Sequence, residues 1–372
     1  LIYKGYTIQP YSPAAGTGLS SHELNMPGCY RDVKDTTVTA MFRMTSPQGA
    51  FKTDWGETYF MAWTTTPWTL PSNTALCVGP KIDYVLVNTF NPYTAQPISV
   101  VMAEARIASY FNPAGAEAAM ENYEKGGKIL PYRVVAHFKG TDLEGLKYEQ
   151  LFAYVNPGEG AFRVILGDYV STEDGTGIVH IAPTFGADDA FVAKKAGVPA
   201  LQLIDKNGNK RPMVDLKGRF YKLEDLDEDF KQKHMNVDLY KTYAGRFVKN
   251  AYDDKLTDKD ETLDISICME LKASGLAFRI EKHVHNYPHC WRTDKPILYY
   301  PLDSWFIRST ARKERMFELN KNIKWKPQST GTGRFGKWLE NLNDWNLSRS
   351  RFWGTPLPIW RSESGEEICI SS

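Results

Sequence analysis

Thr58-Tyr59-Phe60-Met61-Ala62-Trp63-Thr64-Thr65-Thr66-Pro67-Trp68-Thr69-Leu70-Pro71-Ser72-Asn73 reads as a strand, Thr58–Thr65, that ends in threonines and stops against prolines. Aromatic and β-branched residues suit a pleated, half-buried ladder. Pro67 and Pro71 fix their own φ and restrict the residue before each, so the chain after the strand is stiff. Three consecutive threonines at a strand end offer hydroxyls on both faces, and the loop after them frees backbone N–H groups. Such a loop suits a small polar substrate and a positioned water. Threonine is also an ordinary strand residue, so this run by itself leaves plain packing open.

Working outward, period-two alternation predicts further strands at Thr36–Met44, Ile82–Phe90, Ile129–Phe138, Phe152–Val155, Phe162–Leu166 and Gly177–Ala182. Val100–Phe111 reads as a strand edge running into a helix, and Ala114–Lys125 as a second helix stopped by Gly126-Gly127. Asp188–Ala196 reads as a helix, with acids at its start, Lys194 and Lys195 at its end, and Gly197 as its stop. Strands outnumber helices through residue 280, and Gly/Pro turns recur every 8–15 residues. The expected class is α+β, rich in strand, with a barrel-like body and a few packed helices. Trp305–Asn320 and Gly331–Leu342 read as helices of a tail. The expected division is 1–35 as an entry linker or β-ribbon, 36–285 as the body, and 286–372 as an exit linker and helical connection.

Composition sets outer bounds. With 372 residues, 42% hydrophobic and 24% charged, the chain is of ordinary globular make-up. The formal net charge of +1 does not advertise nucleic-acid binding. It hides a gradient, because residues 308–361 hold twelve Lys or Arg and four acids, a net of +8 that leaves −7 for the remainder. A local basic surface can face phosphates, although helix faces are often charged this way. Five scattered cysteines (Cys29, Cys77, Cys268, Cys290, Cys369) include no C-x-x-C pair, which points to free thiols in a reducing compartment. No run of about 18 apolar residues marks a membrane span. The opening Leu1-Ile2-Tyr3-Lys4-Gly5 carries neither an initiator Met nor a signal pattern, so a piece of a longer protein is expected.

A second stretch carries chemistry: Gly175-Thr176-Gly177-Ile178-Val179-His180-Ile181-Ala182-Pro183-Thr184-Phe185-Gly186-Ala187-Asp188-Asp189. A glycine turn launches a short apolar strand bearing one histidine, and a Pro/Gly loop leads to two aspartates at a helix start. One Asp there is an ordinary cap. The second is expected to turn outward as a fixed negative charge, kept ionised by the helix dipole and able to bind an ammonium. No G-x-S-x-G elbow, H-E-x-x-H motif or Walker loop occurs. His283, His285, His289 and Cys290 cluster and are metal ligands by type, but no second ligand cluster stands at fixed spacing, so no metal is assigned.

Together the two stretches closely resemble the threonine-rich element and the histidine–aspartate element of the editing insertion of class I tRNA synthetases for isoleucine, valine and leucine. The flanks agree. Tyr3-Lys4-Gly5-Tyr6 and Pro10-Tyr11-Ser12 look like its entry, and Tyr287-Pro288-His289-Cys290-Trp291-Arg292 with Ser304-Trp305-Phe306 look like its exit. Trp345-Asn346-Leu347-Ser348-Arg349-Ser350-Arg351-Phe352-Trp353-Gly354-Thr355-Pro356 looks like the return to the nucleotide-binding core. The resemblance covers nearly the whole chain. Valine and leucine members typically follow the threonine pair with Arg-Pro and an acid. Thr66-Pro67-Trp68 stands there instead and Leu70-Pro71-Ser72-Asn73 follows, as in the isoleucine members. Cys290-Trp291-Arg292-Thr293 lacks the second cysteine of the zinc pair that some members carry, so zinc is not carried over. No H-I-G-H-like or K-M-S-K-S-like segment of the synthetic site is present.

The resemblance implies post-transfer editing by residues 36–285, namely hydrolysis of the ester of valine wrongly attached to tRNA(Ile). It implies that Asp189 pairs with the α-ammonium of the aminoacyl group. Thr64, Thr65 and Thr66 would line the site and hold the ester, the terminal adenosine and an attacking water. His180 would form the steric wall against the amino-acid side chain, with orientation of water as a lesser role. Asn73 would tie the threonine loop or contact substrate, and Trp63 and Trp68 would support adenine or pack in the core. Editing needs no metal or cofactor on this reading; ATP and Mg belong to the absent synthetic site. The implied partners are the valine-bearing acceptor end of tRNA(Ile) and the rest of the synthetase, in a cytoplasmic monomer with no membrane. Two further readings stay open: a tRNA-docking insertion without catalysis, and pre-transfer hydrolysis of valyl-adenylate.

Overall fold

The computed structural model describes residues 1–257, 259–348 and 356–370. The chain divides into two compact units, Pro10–Tyr300 and Leu1–Gln9 with Pro301–Ser372. The boundaries fall inside two strands, Ile2–Ser12 and Leu298–Ile307.

In the larger unit, β1 (Tyr30–Arg43), β2 (Glu57–Thr64), β3 (Ala75–Val78), β4 (Asp83–Phe90), β5 (Pro97–Ala103), β6 (Arg133–Lys139), β7 (Arg163–Leu166), β8 (Ile178–Ile181) and β9 (Ala277–Pro288) form two sheets. The six-stranded sheet runs β9-β1-β2-β5-β4-β6 and the three-stranded sheet β8-β3-β7. The pair β2/β5 is parallel and the other neighbours in the large sheet are antiparallel.

Alternation explains why the large sheet lies between two cores. Val38, Ala40, Phe42, Phe60, Ala62, Leu86 and Val101 point into the larger core. The intervening Met41, Met61, Val85, Val87, Val100 and Met102 build a second core with Tyr110, Phe111 and Phe278. Each Val, Leu, Met or Phe among them contributes about 1.5–3 kcal/mol when fully buried, and a one-residue register slip would exchange the two sets. Leu76, Val78, Val164 and Ile178 of the smaller sheet enter the same larger core. The mixed, strand-rich class expected above is the class observed.

Two helices position the site. α1 (Ala187–Ala196) starts from Gly186 without a side-chain cap and ends on Gly197, whose φ of 67° is the left-handed stop. α2 (Leu263–Ala273), unforeseen from the sequence, is capped by Thr262. It buries Leu263, Ile267, Cys268 and Leu271 on one face, which packs into the larger core.

Three expected elements differ. Ala114–Lys125 is not a helix but two 3-10 turns, Pro113–Ala116 and Met120–Asn122. The carbonyls of Gly115 and Ala118 accept from Arg133 at 3.2 and 2.8 Å, and Gly115 also accepts from the Tyr132 N–H at 3.1 Å. Those acceptors are thereby diverted from a helical ladder. Phe152–Val155 forms no strand beyond an isolated bridge from Val155 to Met235, because its aromatics are drawn into the core. In the tail, Trp305 to Ile307 finish a strand and the helix begins only at Lys313. Phe306 there stacks on Tyr3, with ring centroids 5.3 Å apart.

The smaller unit also contains the helix Arg334–Glu340. Of the return segment Trp345–Pro356, residues 349–355 lie outside the described residues. Among the described residues no helix is long and apolar enough to cross a membrane.

Candidate active site

The threonine run ends β2 as the sequence suggests. Thr64 is buried opposite Val38 of β1, and its Oγ1 accepts the Thr66 N–H at 3.1 Å and lies 3.3 Å from Thr66 Oγ1. Thr65 and Thr66 are half-buried. Thr66 leads into a 3-10 turn, Pro67–Ser72, every residue of which is buried. Its carbonyl accepts from both the N–H and the hydroxyl of Thr69, at 3.0 and 2.8 Å.

Thr69 Oγ1 then meets His180 Nε2 at 3.0 Å. His180 sits on β8, opposite Leu76 of β3. A Thr69 hydroxyl that donates to the Thr66 carbonyl takes its own hydrogen bond from Nε2–H, the tautomer that leaves Nδ1 with a bare lone pair. Burial pushes His180 down to about 4, so the ring is neutral at physiological pH. Nδ1 is buried and has no protein partner. Ser72 Oγ, Thr74 Oγ1, Thr184 Oγ1 and Trp68 Nε1 are also buried without a partner. Buried polar atoms are normally satisfied, so those on the two segments flanking the β3/β8 pairing are open to water or a polar ligand, as are Tyr154 Oη and Thr293 Oγ1 elsewhere.

Gly175-Thr176-Gly177 fixes the start of β8. Thr176 Oγ1 donates to the Met61 carbonyl at 2.6 Å, and the Thr176 carbonyl accepts the Ala103 N–H at 2.9 Å. Gly177 has φ 77°, and a Cβ there would lie 2.4 Å from that of Ala103. The turn is thus pinned to β2 and β5.

Asp189 behaves differently from the outward charge expected above. Its Oδ2 accepts the Ala182 N–H at 2.9 Å, folding the carboxylate back onto the end of β8, and the exposed acid is Asp188. Neither aspartate caps α1. The carboxylate lies against Gly186, where a Cβ would come 2.6 Å from Asp189 Cγ. Burial raises the Asp189 carboxyl to about 6, with the Ala182 N–H opposing and Asp188 adding to the rise. The helix dipole therefore does not keep it strongly ionised.

The remaining candidates fall in supporting positions. Asn73 is buried, donating to the Ala75 carbonyl at 2.8 Å and accepting from the Tyr148 hydroxyl at 2.6 Å, so it ties the loop to its surroundings. Trp68 is buried and meets Phe185 edge-on at 4.9 Å, joining the two motifs through packing. Trp63 is half-buried, edge-on to His283 at 5.3 Å.

His285 pairs with Asp35 at 3.2 Å and His289 with the Tyr287 carbonyl at 2.9 Å. Among the described residues no group of three His, Cys, Asp or Glu side chains could hold a metal. Sequence reasoning gave no role to Thr69, although it stands inside the quoted stretch. It also missed Asp264, whose Oδ1 accepts the Trp68 N–H at 2.9 Å from 196 residues away.

Comparison with known proteins gives the family of the chain. The model of "tRNA synthetases class I (I, L, M and V)" matches residues 1–372. An isoleucine–tRNA ligase of Bacteroides fragilis is 73% identical over 373 residues, taking in 100% of this chain and 33% of that protein. The isoleucine–tRNA ligase of Porphyromonas gingivalis is 67% identical over 100% of this chain and 33% of that protein. That of Clostridium tetani is 38% identical over 100% and 29%. The chain thus spans about a third of the length of the curated relatives it matches. Among solved structures, the P. knowlesi cytosolic leucyl-tRNA synthetase editing domain is 11% identical over 70% of this chain and 99% of that one. Its TM-score of 0.38 is too slight a likeness to argue from.

Proposed function

Because this chain belongs to the class I tRNA synthetase family, we propose that residues 36–285 remove misattached valine from tRNA(Ile) by hydrolysing its ester. The observation that carries this is the chain Thr66–Thr69–His180, which joins the two motifs and leaves a buried imidazole lone pair unpartnered.

In this reading Asp189 pairs with the α-ammonium of the aminoacyl group by a charge-assisted hydrogen bond. A bound ammonium favours the ionised carboxylate that burial disfavours. His180 walls the side-chain pocket, and its Nδ1 lone pair accepts a hydrogen bond from the attacking water. At about 4 it is too weak a base to remove a proton early at neutral pH, so it orients water rather than activating it. Water adds to the ester carbonyl carbon, the tetrahedral intermediate collapses, and the bond to the ribose oxygen breaks. That oxygen takes the proton that water gives up, and valine and free tRNA result. An aminoacyl ester is labile, so positioning and stabilisation of the oxyanion suffice without a metal or cofactor.

A second pocket is needed because one methylene yields only about 1–3 kcal/mol of discrimination in an apolar site. The isoleucine–valine pair illustrates that range. The reading takes the acceptor end of tRNA(Ile) and the remainder of the synthetase as partners, within a cytoplasmic monomer.

The test is deacylation of purified valyl-tRNA(Ile) and isoleucyl-tRNA(Ile), with valyl-adenylate in parallel, by wild type and Asp189→Asn. Fast, Asp189-dependent release of valine alone from tRNA is the expected result. Binding of tRNA without release would instead make this a docking insertion. Turnover of the adenylate alone would make the reaction pre-transfer.

A further inference from the structure

We propose that Asp264 is a positioning residue for the editing loop, capping the turn Pro67–Ser72 from a different helix and so setting Thr69 against His180. This rests on the reading above.

The first N–H groups of a helical turn lack internal partners. Pro67 has none to offer, so the first that must be satisfied in this turn belongs to Trp68. The residue placed to cap it, Thr66, makes no side-chain cap bond. Its Oγ1 instead faces Thr64 Oγ1 at 3.3 Å. Asp264 Oδ1 takes the Trp68 N–H at 2.9 Å and leaves the Thr66 hydroxyl for the site.

Asp264 stands in the first turn of α2 but is not spent on that helix, which Thr262 caps by accepting the Ile265 N–H at 3.2 Å. Asp264 is only 3% exposed. Its other oxygen lies 3.8 Å from Lys249 Nζ, and that ammonium also holds Asp35 at 2.9 Å and lies 4.9 Å from the Tyr287 ring centroid. A buried ion pair is a weak source of stability compared with apolar packing. What it supplies here is a fixed acceptor at one place on the loop. From Trp68 the constraint passes one residue on to Thr69, and through Thr69 Oγ1 to His180 Nε2.

The pair separates two roles. The acceptor at Oδ1 positions the loop, and the charge beside Lys249 holds α2 to β1. Asp264→Asn keeps the acceptor and loses the charge, Asp264→Ala loses both, and Lys249→Met keeps the acceptor and loses the cation. In the whole protein that carries this chain, kcat and KM for valyl-tRNA(Ile) deacylation are measured alongside melting temperature. Asp264→Ala is expected to lower kcat about tenfold or more with KM within about twofold, the signature of a misplaced catalytic group. Lys249→Met is expected to melt earlier, because it leaves the buried Asp264 carboxylate without its cation. It and Asp264→Asn are both expected to keep kcat within about threefold of wild type.

A folded Asp264→Ala with unchanged kcat overturns the proposal. So does a kcat in Lys249→Met that falls in step with its melting temperature, or a kcat in Asp264→Asn that falls as far as in Asp264→Ala. Wild type inactive on valyl-tRNA(Ile) overturns the editing reading and this proposal with it, whereas active wild type with the wrong variant pattern overturns positioning alone.

Discussion

The Asp189 carboxyl, raised by burial to about 6, is ionised but not comfortably so at neutral pH. Its folded value exceeds the unfolded one, so the stability it contributes is complete below about 4 and is lost as pH rises through about 6. Ionised Asp189 therefore opposes folding at pH 7.5, by up to about 3 kcal/mol. Asp189→Asn is expected to melt higher than wild type at pH 7.5, with the gap closing by pH 4, while deacylation of valyl-tRNA(Ile) falls. In wild type, kcat/KM should drop as pH falls through about 6. Calorimetry and a pH–rate profile check the two halves, and a less stable Asp189→Asn at pH 7.5 contradicts the assignment. His180 makes a separable prediction. If it is the wall, His180→Ala should narrow the valine-over-isoleucine ratio by about tenfold or more, the worth of a methylene-sized clash. If it only orients water, both rates fall together and the ratio stays. At this scale the sequence named candidate side chains but not their states. The tautomer of His180 depends on Thr69, 111 residues away, and the inward fold of Asp189 on the Ala182 N–H.

Among elements, legibility followed how locally each is determined. β1, β2, β4 and β8 were readable because short runs of β-branched, aromatic and other apolar residues bounded by turn residues suit a strand buried on both faces. α1 was readable from its terminal charges and Gly197. Ala114–Lys125 misled because its alanines favour helix, whereas Arg133 and Tyr132 claim the carbonyls that a helix would need. α2 went unseen although Thr262 and the spacing of Leu263, Ile267 and Leu271 were available signals, and Asp264 was lost with it. The element that most directly places the site is the turn before β8. Gly177→Ala combines an L residue at φ 77° with a Cβ 2.4 Å from that of Ala103. It should cost about 2 kcal/mol or more, from backbone strain plus overpacking. Deacylation should fall in excess of the folded fraction lost, because His180 is three residues on. Denaturant unfolding and an assay at matched folded concentration check this, and wild-type stability would show that the turn yields at little cost.

Over the whole chain, the strand-rich α+β architecture was legible in the sequence, while the division into compact units follows burial, which motifs do not report. All four apolar clusters among the described residues lie within Pro10–Tyr300, including the small one of Leu19, Leu24, Cys290 and Ile297. A unit that contains its whole core meets the condition for folding alone. The ties that close the threonine loop also lie inside it: Thr69 to His180, Asn73 to Tyr148, Trp68 to Asp264. A polypeptide limited to residues 10–300 should therefore unfold in one cooperative transition, with calorimetric and van't Hoff enthalpies agreeing. The Asp189 ionisation should persist in it, since the groups that raise it, burial beside β8 and Asp188, are all retained. The basic stretch 308–361 would be gone, so binding of tRNA should weaken and lose salt dependence, while the intrinsic preference for valine survives at high protein concentration. A broad, non-cooperative melt would mean that the larger unit depends on the rest of the chain. A cooperative melt with no Asp189 titration would place the origin of that shift outside β8 and α1.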